Sequence, residues 1–147
     1  MEDVLIRPAK EDDLEAILSL YAQPDLDNGE VLTKEQAVEV FTKMQRYPDY
    51  KIYVAESGST IVGTFTLLIM DNLGHLGAPS GVIEDVAVDP KWQGQGIGTK
   101  MMQYAMGIGR LRGCYKVALS SNVKRRRAHH FYEKVGFSKH GYSFLVD

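Results

Sequence analysis

The stretch GVIEDVAVDPKWQGQGIGTKMMQYAMGIGRLR, residues 81–112, decides the fold of this chain. Residues 82–88 are a short, mostly apolar and β-branched run, which is typical of a buried strand. Asp89-Pro90 ends the run, because proline has no amide hydrogen to donate and turns the chain. Glycines then alternate with other residues from Gly94 to Gly98, and a helical stripe of apolar residues follows at once. The stretch therefore predicts a strand, a glycine-rich turn and a helix.

A strand, a glycine-rich turn and a helix in this order form a site for an anion. The turn points several free backbone amides at one place, and the helix start adds a partial positive charge, so the usual ligand is a phosphate. A dinucleotide fingerprint needs a third glycine where Thr99 stands, and a P-loop needs a lysine directly after its last glycine. The spacing therefore disfavours an unrelated phosphate-binding domain for ATP or NAD.

The spacing that does fit is [R/Q]-x-x-G-x-[G/A], with Gln93, Gly96 and Gly98 in its three fixed places. This is the signature of the GNAT superfamily of N-acetyltransferases, which the chain resembles. A second stretch at residues 128–137, AHHFYEKVGF, is similar to the A-x-x-[F/L]-Y-x-x-x-G-F motif of that family. The resemblance covers most of the chain from Ile52 onward, and the earlier helices loosely. It implies that acetyl-CoA donates an acetyl group directly to a primary amine.

Alternating apolar residues and turn residues predict the strands, at residues 4–8, 51–56, 61–70, 82–88, 116–120 and, as one or two strands, 137–146. Asp12 with Glu15, and Thr33 with Gln36, predict capping boxes for the first two helices. A third helix follows Gly96, and a fourth covers residues 126–135.

The strands on either side of the third helix should be parallel, because a helix connects them. The predicted fold class is α/β, a mixed sheet with helices on both faces and a GNAT-like fold, in one domain over residues 1–147. Gly107 and Gly109 lie inside the third helix, where they either allow close packing or mark an early end.

Bulk properties exclude several classes of partner. A net charge of −2 gives no reason to expect nucleic acid or an anionic membrane. No apolar run approaches the roughly 18 residues that span a bilayer, and the first residues lack the apolar core of a signal peptide. The one cysteine, Cys114, cannot form an internal disulfide. These features suit a cytoplasmic protein, and the resemblance adds a homodimer as the expected assembly.

The resemblance assigns the binding of acetyl-CoA mainly to backbone. Free amides at Val86, Ala87 and Val88 would hold the acetyl carbonyl and the pantetheine arm, where the strand splays from its neighbour. The alternative is an ordinary core strand. The turn would hold the pyrophosphate through Gln93, Gly94, Gln95, Gly96, Ile97, Gly98 and Thr99.

The resemblance makes Tyr132 the general acid that protonates the leaving thiolate, and part of the cofactor site. A phenol with a pKa near 10 is protonated at neutral pH, although a tyrosine on a buried stripe is the alternative. Glu84 is the candidate base for the amine, in an E-D-V-x-V run that is similar to some sugar-phosphate N-acetyltransferases. Strand alternation points Glu84 and Asp85 to opposite faces, so only one can face the acceptor. The alternative for either is a salt bridge or a buried hydrogen bond.

The second motif departs from the family pattern at one place. Many members have an asparagine three residues before the alanine, and this chain has Arg125 there. Asn122 replaces it only if the loop is rearranged. The basic run at residues 124–127 either reaches a phosphate of coenzyme A or is a solvated helix start. His129 and His130 are consecutive and make a poor metal pair, so no metal is expected.

We expect an acetyl-CoA-dependent N-acetyltransferase of a small amine, an amino sugar or an amino acid. Two other functions stay open. The chain could be an acyl-CoA-binding sensor without catalysis, because the glycine motif would look the same. It could also acetylate protein N-termini or lysines.

Overall fold

The computed structural model describes residues 3–147, which form five strands and four helices. The strands are β1 (Val4–Pro8), β2 (Tyr50–Ser57), β3 (Thr60–Met70), β4 (Ser80–Val88) and β5 (Lys116–Leu119). The helices are α1 (Leu14–Tyr21), α2 (Lys34–Met44), α3 (Ile97–Leu111) and α4 (Arg126–Val135). The predicted order is confirmed up to α4.

The five strands form one sheet in the order β1-β2-β3-β4-β5. The strands β1 to β4 are each antiparallel to the next one in the sheet. A short turn joins β2 to β3, whereas α1 and α2 lie between β1 and β2. The fifth is parallel to β4 and is reached through α3, so the predicted crossover unit is confirmed. The carboxyl end of β4 therefore leads, through a one-turn 3-10 helix at Pro90–Trp92, into the glycine turn and α3.

The helices pack on both faces of the sheet. On one face α3 and α4 cover the larger apolar cluster, in which Met101 and Met102 are fully buried. On the other face α1 and α2 cover a smaller cluster. Tyr53 and Val54 are neighbours on β2 and belong to opposite clusters, as the alternation of strand side chains requires. The predicted fold class is confirmed.

Helix α3 continues past both of its inner glycines and lies close to β5. Gly109 is buried, and a Cβ placed on it would overlap the Val117 side chain. Only glycine therefore allows this distance between helix and strand. Gly107 has no such role, since the nearest atom to a Cβ there is 4.0 Å away in the Arg110 guanidinium.

The predicted cap at Asp12 is wrong. Asp12 is exposed, and the next residue, Asp13, is the buried one. Asp13 accepts hydrogen bonds from the Lys10 amide at 2.7 Å and from Arg7 at 2.8 Å, and Arg7 holds its pKa below the usual range. The ion pair with Arg7, a residue of β1, explains why the buried capping residue is Asp13 and not its neighbour Asp12. The box formed by Thr33 and Gln36 is confirmed.

The predicted strand or strands at residues 137–146 are absent from the described structure. Phe137 packs against the core, and residues 138–147 form neither helix nor strand. Their apolar side chains remain in solvent, with Tyr142, Phe144, Leu145 and Val146 each 90–92% exposed. The segment has the composition of a strand, but no strand formed by the described residues, 3–147, pairs with it.

Candidate active site

The strand pairing opens a gap between β4 and β5. Residues Ser80 to Ile83 pair with Lys116 to Leu119, and the parallel ladder ends there. From Glu84 onward, β4 pairs with β3 on one side and with no described strand on the other. Backbone groups of residues 86–88 that point to that side are therefore available to a ligand, where the sequence predicts the acetyl and pantetheine site. The Ala87 carbonyl is not among them, since it lies against Gly63 of β3.

The orientation of Val88 can be derived from its hydrogen bonds. Its carbonyl accepts from the Gln23 side chain at 3.0 Å and from the Gln93 side chain at 3.3 Å. The next amide, that of Asp89, donates to the Val62 carbonyl of β3. Because the N–H and C=O of one strand residue point to the same side, the Val88 N–H faces away from β3. It is a candidate donor for a carbonyl oxygen in the gap.

A β-bulge interrupts β4 at the two candidate carboxylates. Thr64 pairs with Ala87 and Thr66 with Glu84, so β4 contains one residue more than β3 between these pairs. Asp85 absorbs it with a φ of 53°, a value that few residues other than glycine adopt. The bulge breaks the alternation on which the prediction of opposite faces depended. Both carboxylates act on the same group, because each raises the pKa of Tyr50.

Two tyrosines from distant parts of the chain lie at this bulge. Tyr21 ends α1 and is within hydrogen-bonding reach of Thr64, and Tyr50 begins β2 and is within reach of Thr66. Burial, followed by the charge of Asp85, raises the pKa of Tyr50 and puts that of Tyr21 well above its usual range. The two phenols therefore stay neutral hydrogen-bonding groups beside the carboxylates.

Asp85 and Glu84 are both exposed to solvent. Burial, with the nearby charge of Asp27, raises the pKa of Asp85, although the residue still reaches solvent. A carboxylate with a raised pKa accepts a proton more readily than an ordinary one. Glu84 is exposed, and its backbone carbonyl accepts from the Thr66 hydroxyl at 3.1 Å.

The sequence analysis missed the two tyrosines. Tyr21 belongs to the apolar stripe of α1, which is typical of a core residue, and Tyr50 is the first residue of β2. The packing of α1 against β3 and β4 brings Tyr21 to the bulge, and the pairing of β2 with β3 brings Tyr50 there, so no local pattern indicates them.

The glycine turn follows β4 as predicted. Gly94 and Gly96 have φ values of 78° and 85°, and a Cβ on either would meet nothing within 4 Å. The positive φ at each position therefore favours glycine there. The open space around both positions shows that the outer side of the turn is accessible. Gly96 is the residue before α3, so the first amides of the helix, at Ile97, Gly98 and Thr99, have no carbonyl ahead of them in the helix.

Side chains around the turn hold its backbone in place. Gln93 binds the Val88 carbonyl, and the amide of Gln95 reaches the Lys91 carbonyl at 3.5 Å. A hollow of about 110 Å³ lies beside the turn, lined in part by Gln95, Gly96 and Lys100. A hollow of about 340 Å³ lies on the α1 side, lined in part by Gln23 and Asp89.

Gly98 has a different role from the other two glycines of the motif. A Cβ on Gly98 would lie 2.9 Å from Cζ of Phe131, so the glycine lets the ring of α4 rest on the first turn of α3. Phe131 is followed by Tyr132, with ring centroids 5.2 Å apart. The ring of Phe131 therefore packs between Gly98 of the glycine motif and Tyr132, the predicted general acid.

Tyr132 is buried in the larger apolar cluster and faces Phe137 at 6.0 Å between ring centroids. Burial raises its pKa above the usual value, and the charge of Arg125 acts in the opposite direction. The net effect keeps the Tyr132 phenol protonated at neutral pH. Tyr132 thus lies on a buried stripe, as the core alternative requires, and its role as the general acid stays a prediction.

Asn122 does not point freely toward this region. Its Oδ1 accepts from the Lys124 amide at 2.9 Å, and its carbonyl accepts from the Arg125 amide at 3.0 Å. The ring of His129 contacts the same carbonyl at 2.7 Å. Asn122 thus shapes the loop before α4, and its predicted contact with the cofactor stays a prediction. Residues 124–127 are exposed at the start of α4.

The described residues, 3–147, contain neither a group of side chains suited to a metal ion nor a helix suited to cross a membrane. No three histidine, cysteine, aspartate or glutamate side chains are grouped to hold a metal ion. None of the helices that these residues form is both long and apolar enough to cross a membrane.

Comparison with known proteins places the chain among acetyltransferases. The model of the acetyltransferase (GNAT) family matches residues 14–137. A glucosamine 6-phosphate N-acetyltransferase of Trypanosoma brucei brucei is 37% identical over 97 residues, which cover 66% of this chain and 64% of that protein. An aminoalkylphosphonate N-acetyltransferase of Salmonella typhimurium is 31% identical over 97 residues, 66% of this chain and 62% of that protein. The matched region therefore spans a little under two thirds of these two relatives.

Solved structures agree with the fold over the whole chain. A protein of Bacillus halodurans described as a transcriptional regulator has a TM-score of 0.91 at 28% identity, over 99% of both chains. The glucosamine-6-phosphate N-acetyltransferase of Arabidopsis thaliana has a TM-score of 0.85 at 27% identity, also over 99% of both. The predicted family and the GNAT-like fold are confirmed.

Proposed function

The chain belongs to the GNAT family of acetyltransferases, and from this premise we propose that it transfers the acetyl group of acetyl-CoA to the primary amine of a small acceptor. One observation carries the proposal. The open side of β4 after Ile83 is followed by a one-turn 3-10 helix at Pro90–Trp92 and then by the glycine turn and the free amides of α3. Backbone donors for a thioester arm and for a pyrophosphate therefore follow one another along a single segment.

The reaction has few requirements, and the residues around the gap meet them. The neutral amine attacks the thioester carbon, so the site needs a donor for the oxyanion and a proton for the departing thiolate. The Val88 N–H is the proposed oxyanion donor. Tyr132 gives its phenolic proton to the sulfur, and the charge of Arg125 offsets the phenolate that forms. Solvent then returns a proton to the phenolate.

A carboxylate at the bulge takes the proton that the nitrogen loses when the C–N bond forms. Glu84 is the candidate from the sequence, and we propose Asp85 beside it, because burial and then the charges of both carboxylates raise the pKa of Tyr50. The raised pKa of Asp85 suits proton acceptance. The pair also attracts an ammonium, the form in which a primary amine arrives from solution; the ammonium gives one proton to solvent water and then attacks as the neutral amine.

The acceptor we propose is a small amine that carries a phosphorus oxyanion. Glucosamine 6-phosphate and aminoalkylphosphonates, the acceptors in the names of two relatives, share a primary amine and such an anion. A free amino sugar or an amino acid is the next choice. A cytoplasmic location and a homodimer remain proposals.

The test is a thiol-release assay with acetyl-CoA and a panel of amines, after calorimetric titration with acetyl-CoA, coenzyme A, ATP and NAD. We expect micromolar binding of acetyl-CoA without binding of ATP or NAD, and turnover with glucosamine 6-phosphate or 2-aminoethylphosphonate. Binding of acetyl-CoA without release of thiol for any small amine or any peptide amine would favour the sensor. Turnover with peptide amines alone would favour a protein acetyltransferase. Failure of folded protein to bind acetyl-CoA would overturn the proposal.

A further inference from the structure

A glutamine outside both sequence motifs connects the two sides of the candidate active site. Gln23 follows the last residue of α1 by two positions and is half-buried. Its side-chain amide donates to the Val88 carbonyl at 3.0 Å, a contact between residues 65 positions apart. Only the fold brings Gln23 to the end of β4.

The hydrogen bond from Gln23 replaces one that β5 does not supply. The parallel ladder of β4 with β5 ends at Ile83, so among residues 3–147 no strand pairs with the gap side of Val88. A strand end that lacks such hydrogen bonds is among the less stable parts of a fold. Gln23 donates the missing bond, and Gln93 adds a longer one at 3.3 Å from an exposed side chain.

The peptide groups on either side of Val88 show what this bond fixes. The Ala87 carbonyl lies against Gly63 of β3, which turns the Val88 N–H toward the gap. The amide after Val88 donates to a carbonyl of β3 at 2.9 Å, which turns the Val88 carbonyl toward the gap as well. β3 therefore holds both peptide groups from one side, and Gln23 holds the second from the other side. Together they set the direction of the Val88 N–H, the proposed oxyanion donor.

The backbone of Gln23 organises the loop that faces the candidate bases. Its carbonyl accepts from the amides of Leu26 and Asn28, both at 3.0 Å, within residues 23–28, here named the 23–28 loop. Asp27 belongs to this loop, and the desolvation of Asp85, followed by the charge of Asp27, raises the pKa of Asp85. One residue therefore holds the loop beside the bulge and the end of β4 beside the gap.

We propose that Gln23 is a positioning residue of acetyl transfer, which directs the Val88 N–H at the acetyl oxygen and keeps the 23–28 loop beside the amine. Gln23 acts through the Val88 backbone and through the loop, without contact with the reacting atoms. The proposal rests on the proposed function, because it takes the Val88 N–H as the oxyanion donor. Misplacement of a reacting group by about 1 Å costs roughly 100-fold in rate, so loss of this bond should cost roughly 10-fold to 100-fold in kcat.

The first measurement is calorimetric titration of the native protein and of Gln23→Met with acetyl-CoA and with coenzyme A. Methionine has nearly the length of glutamine and no N–H to donate. We expect an unchanged affinity for coenzyme A, which has no acetyl oxygen. The ratio of the two dissociation constants should shift against acetyl-CoA by roughly 2-fold to 10-fold, the range for one weakened hydrogen bond. A residue that only stabilises the fold changes both constants alike.

The second measurement is the thiol-release assay, with whichever amine of the panel the native protein acetylates. Gln23→Met should lose roughly 10-fold to 100-fold in kcat, while the KM for acetyl-CoA stays unchanged. Gln23→Lys keeps a donor of sufficient length and should retain more of the native kcat than Gln23→Met. Gln103→Met is the matched control, because Gln103 is an exposed glutamine on α3, and it should leave both measurements unchanged.

Hydrogen exchange of the Asp89 amide is a third readout, and it needs no ligand. This amide belongs to the same peptide group as the Val88 carbonyl and donates to β3. It should exchange at least about 10-fold faster in Gln23→Met, because the peptide group is then held from one side only.

Two results would overturn the proposal. In one, folded Gln23→Met keeps both the native kcat and the native ratio of dissociation constants. In the other, it loses affinity for coenzyme A as much as for acetyl-CoA, so that Gln23 supports the cofactor site as a whole. Circular dichroism of each variant confirms that it is folded.

Failure of the proposed function is distinguishable, because it shows in the native protein. Native protein that binds no acetyl-CoA overturns the proposed function and the role of Gln23 in it, even if exchange at Asp89 shows the tether. Native protein that binds acetyl-CoA without releasing thiol is a sensor. In a sensor, a shifted ratio supports the hold of Gln23 on Val88, and an unchanged ratio overturns it.

Discussion

Gly98→Ala should lower the stability of the protein, although alanine usually favours a helix over glycine. The added Cβ would lie 2.9 Å from Cζ of Phe131, whereas carbon atoms in good contact are about 3.5–4.0 Å apart. The ring must therefore move by roughly 0.6–1.1 Å. Overpacking of this kind costs about 1–3 kcal/mol, and the higher helix propensity of alanine returns up to about 1 kcal/mol.

The expected net loss is about 1–2 kcal/mol in the free energy of unfolding, measured by urea denaturation. In a chain of this size it corresponds to a fall of about 3–6 °C in Tm. Because Tyr132 follows Phe131 on α4, displacement of the ring should also reduce turnover by roughly 10-fold to 100-fold. The general family pattern accepts alanine at this place, so the cost is specific to a chain with Phe131.

Two controls make the prediction sharp. Gly107→Ala lies in the same helix, and its Cβ would meet only the end of a flexible arginine side chain at 4.0 Å. It should stabilise the protein by up to about 1 kcal/mol. In a double-mutant cycle, Phe131→Leu should abolish most of the cost of Gly98→Ala, with a coupling energy of about 1–2 kcal/mol. If Gly98→Ala is as stabilising as Gly107→Ala, the proposed contact between α3 and α4 is refuted.

Three further predictions follow from the same geometry. Tyr132→Phe should lower kcat by roughly 100-fold or more while calorimetry finds acetyl-CoA affinity unchanged; unchanged turnover would remove Tyr132 from the role of acid. Asp85→Asn should be more stable than the native chain at pH 7 and equal to it at pH 3, as urea midpoints would show. The raised pKa of Asp85 means that the native chain loses stability as the pH rises from the ordinary carboxyl pKa, about 3.9, through the raised value. A stability difference that grows toward low pH would contradict this. Gly109→Ala should cost at least about 1–3 kcal/mol, because its Cβ overlaps Val117; a neutral result by thermal unfolding would show that α3 can move away from β5.

Elements specified by neighbouring residues could be predicted from the sequence. The box of Thr33 and Gln36 starts α2 because both partners lie within one turn. The helix at residues 126–135 has both boundaries as predicted, since Gly136 supplies the positive φ that ends it. The glycine turn could be placed for the same reason, because its conformation depends on its own residues.

Elements specified by distant residues could not be predicted. The choice of Asp13 over Asp12 depends on Arg7, a residue of β1 that also binds Glu56 of β2. The composition of residues 137–146 favours a strand, but a strand needs a partner, and composition does not say whether one is available. The role of Gly98 in helix packing depends on Phe131, 33 residues later in the chain.

The bulge in β4 shows most directly why the candidate base could not be chosen from the sequence. Alternation assigns adjacent residues to opposite faces only while both strands advance together, and β4 gains one residue between its pairs with Thr66 and Thr64. Aspartate tolerates a positive φ better than most residues, so Asp85 permits the bulge. Because an aspartate is also common elsewhere, it is no sequence signal for a bulge. Both carboxylates then act on Tyr50. Removal of one leaves the other at the same phenol, so a small loss of turnover in Glu84→Gln or Asp85→Asn alone does not exclude a carboxylate base. Only the double variant, compared with both single variants, measures what a carboxylate at this position contributes.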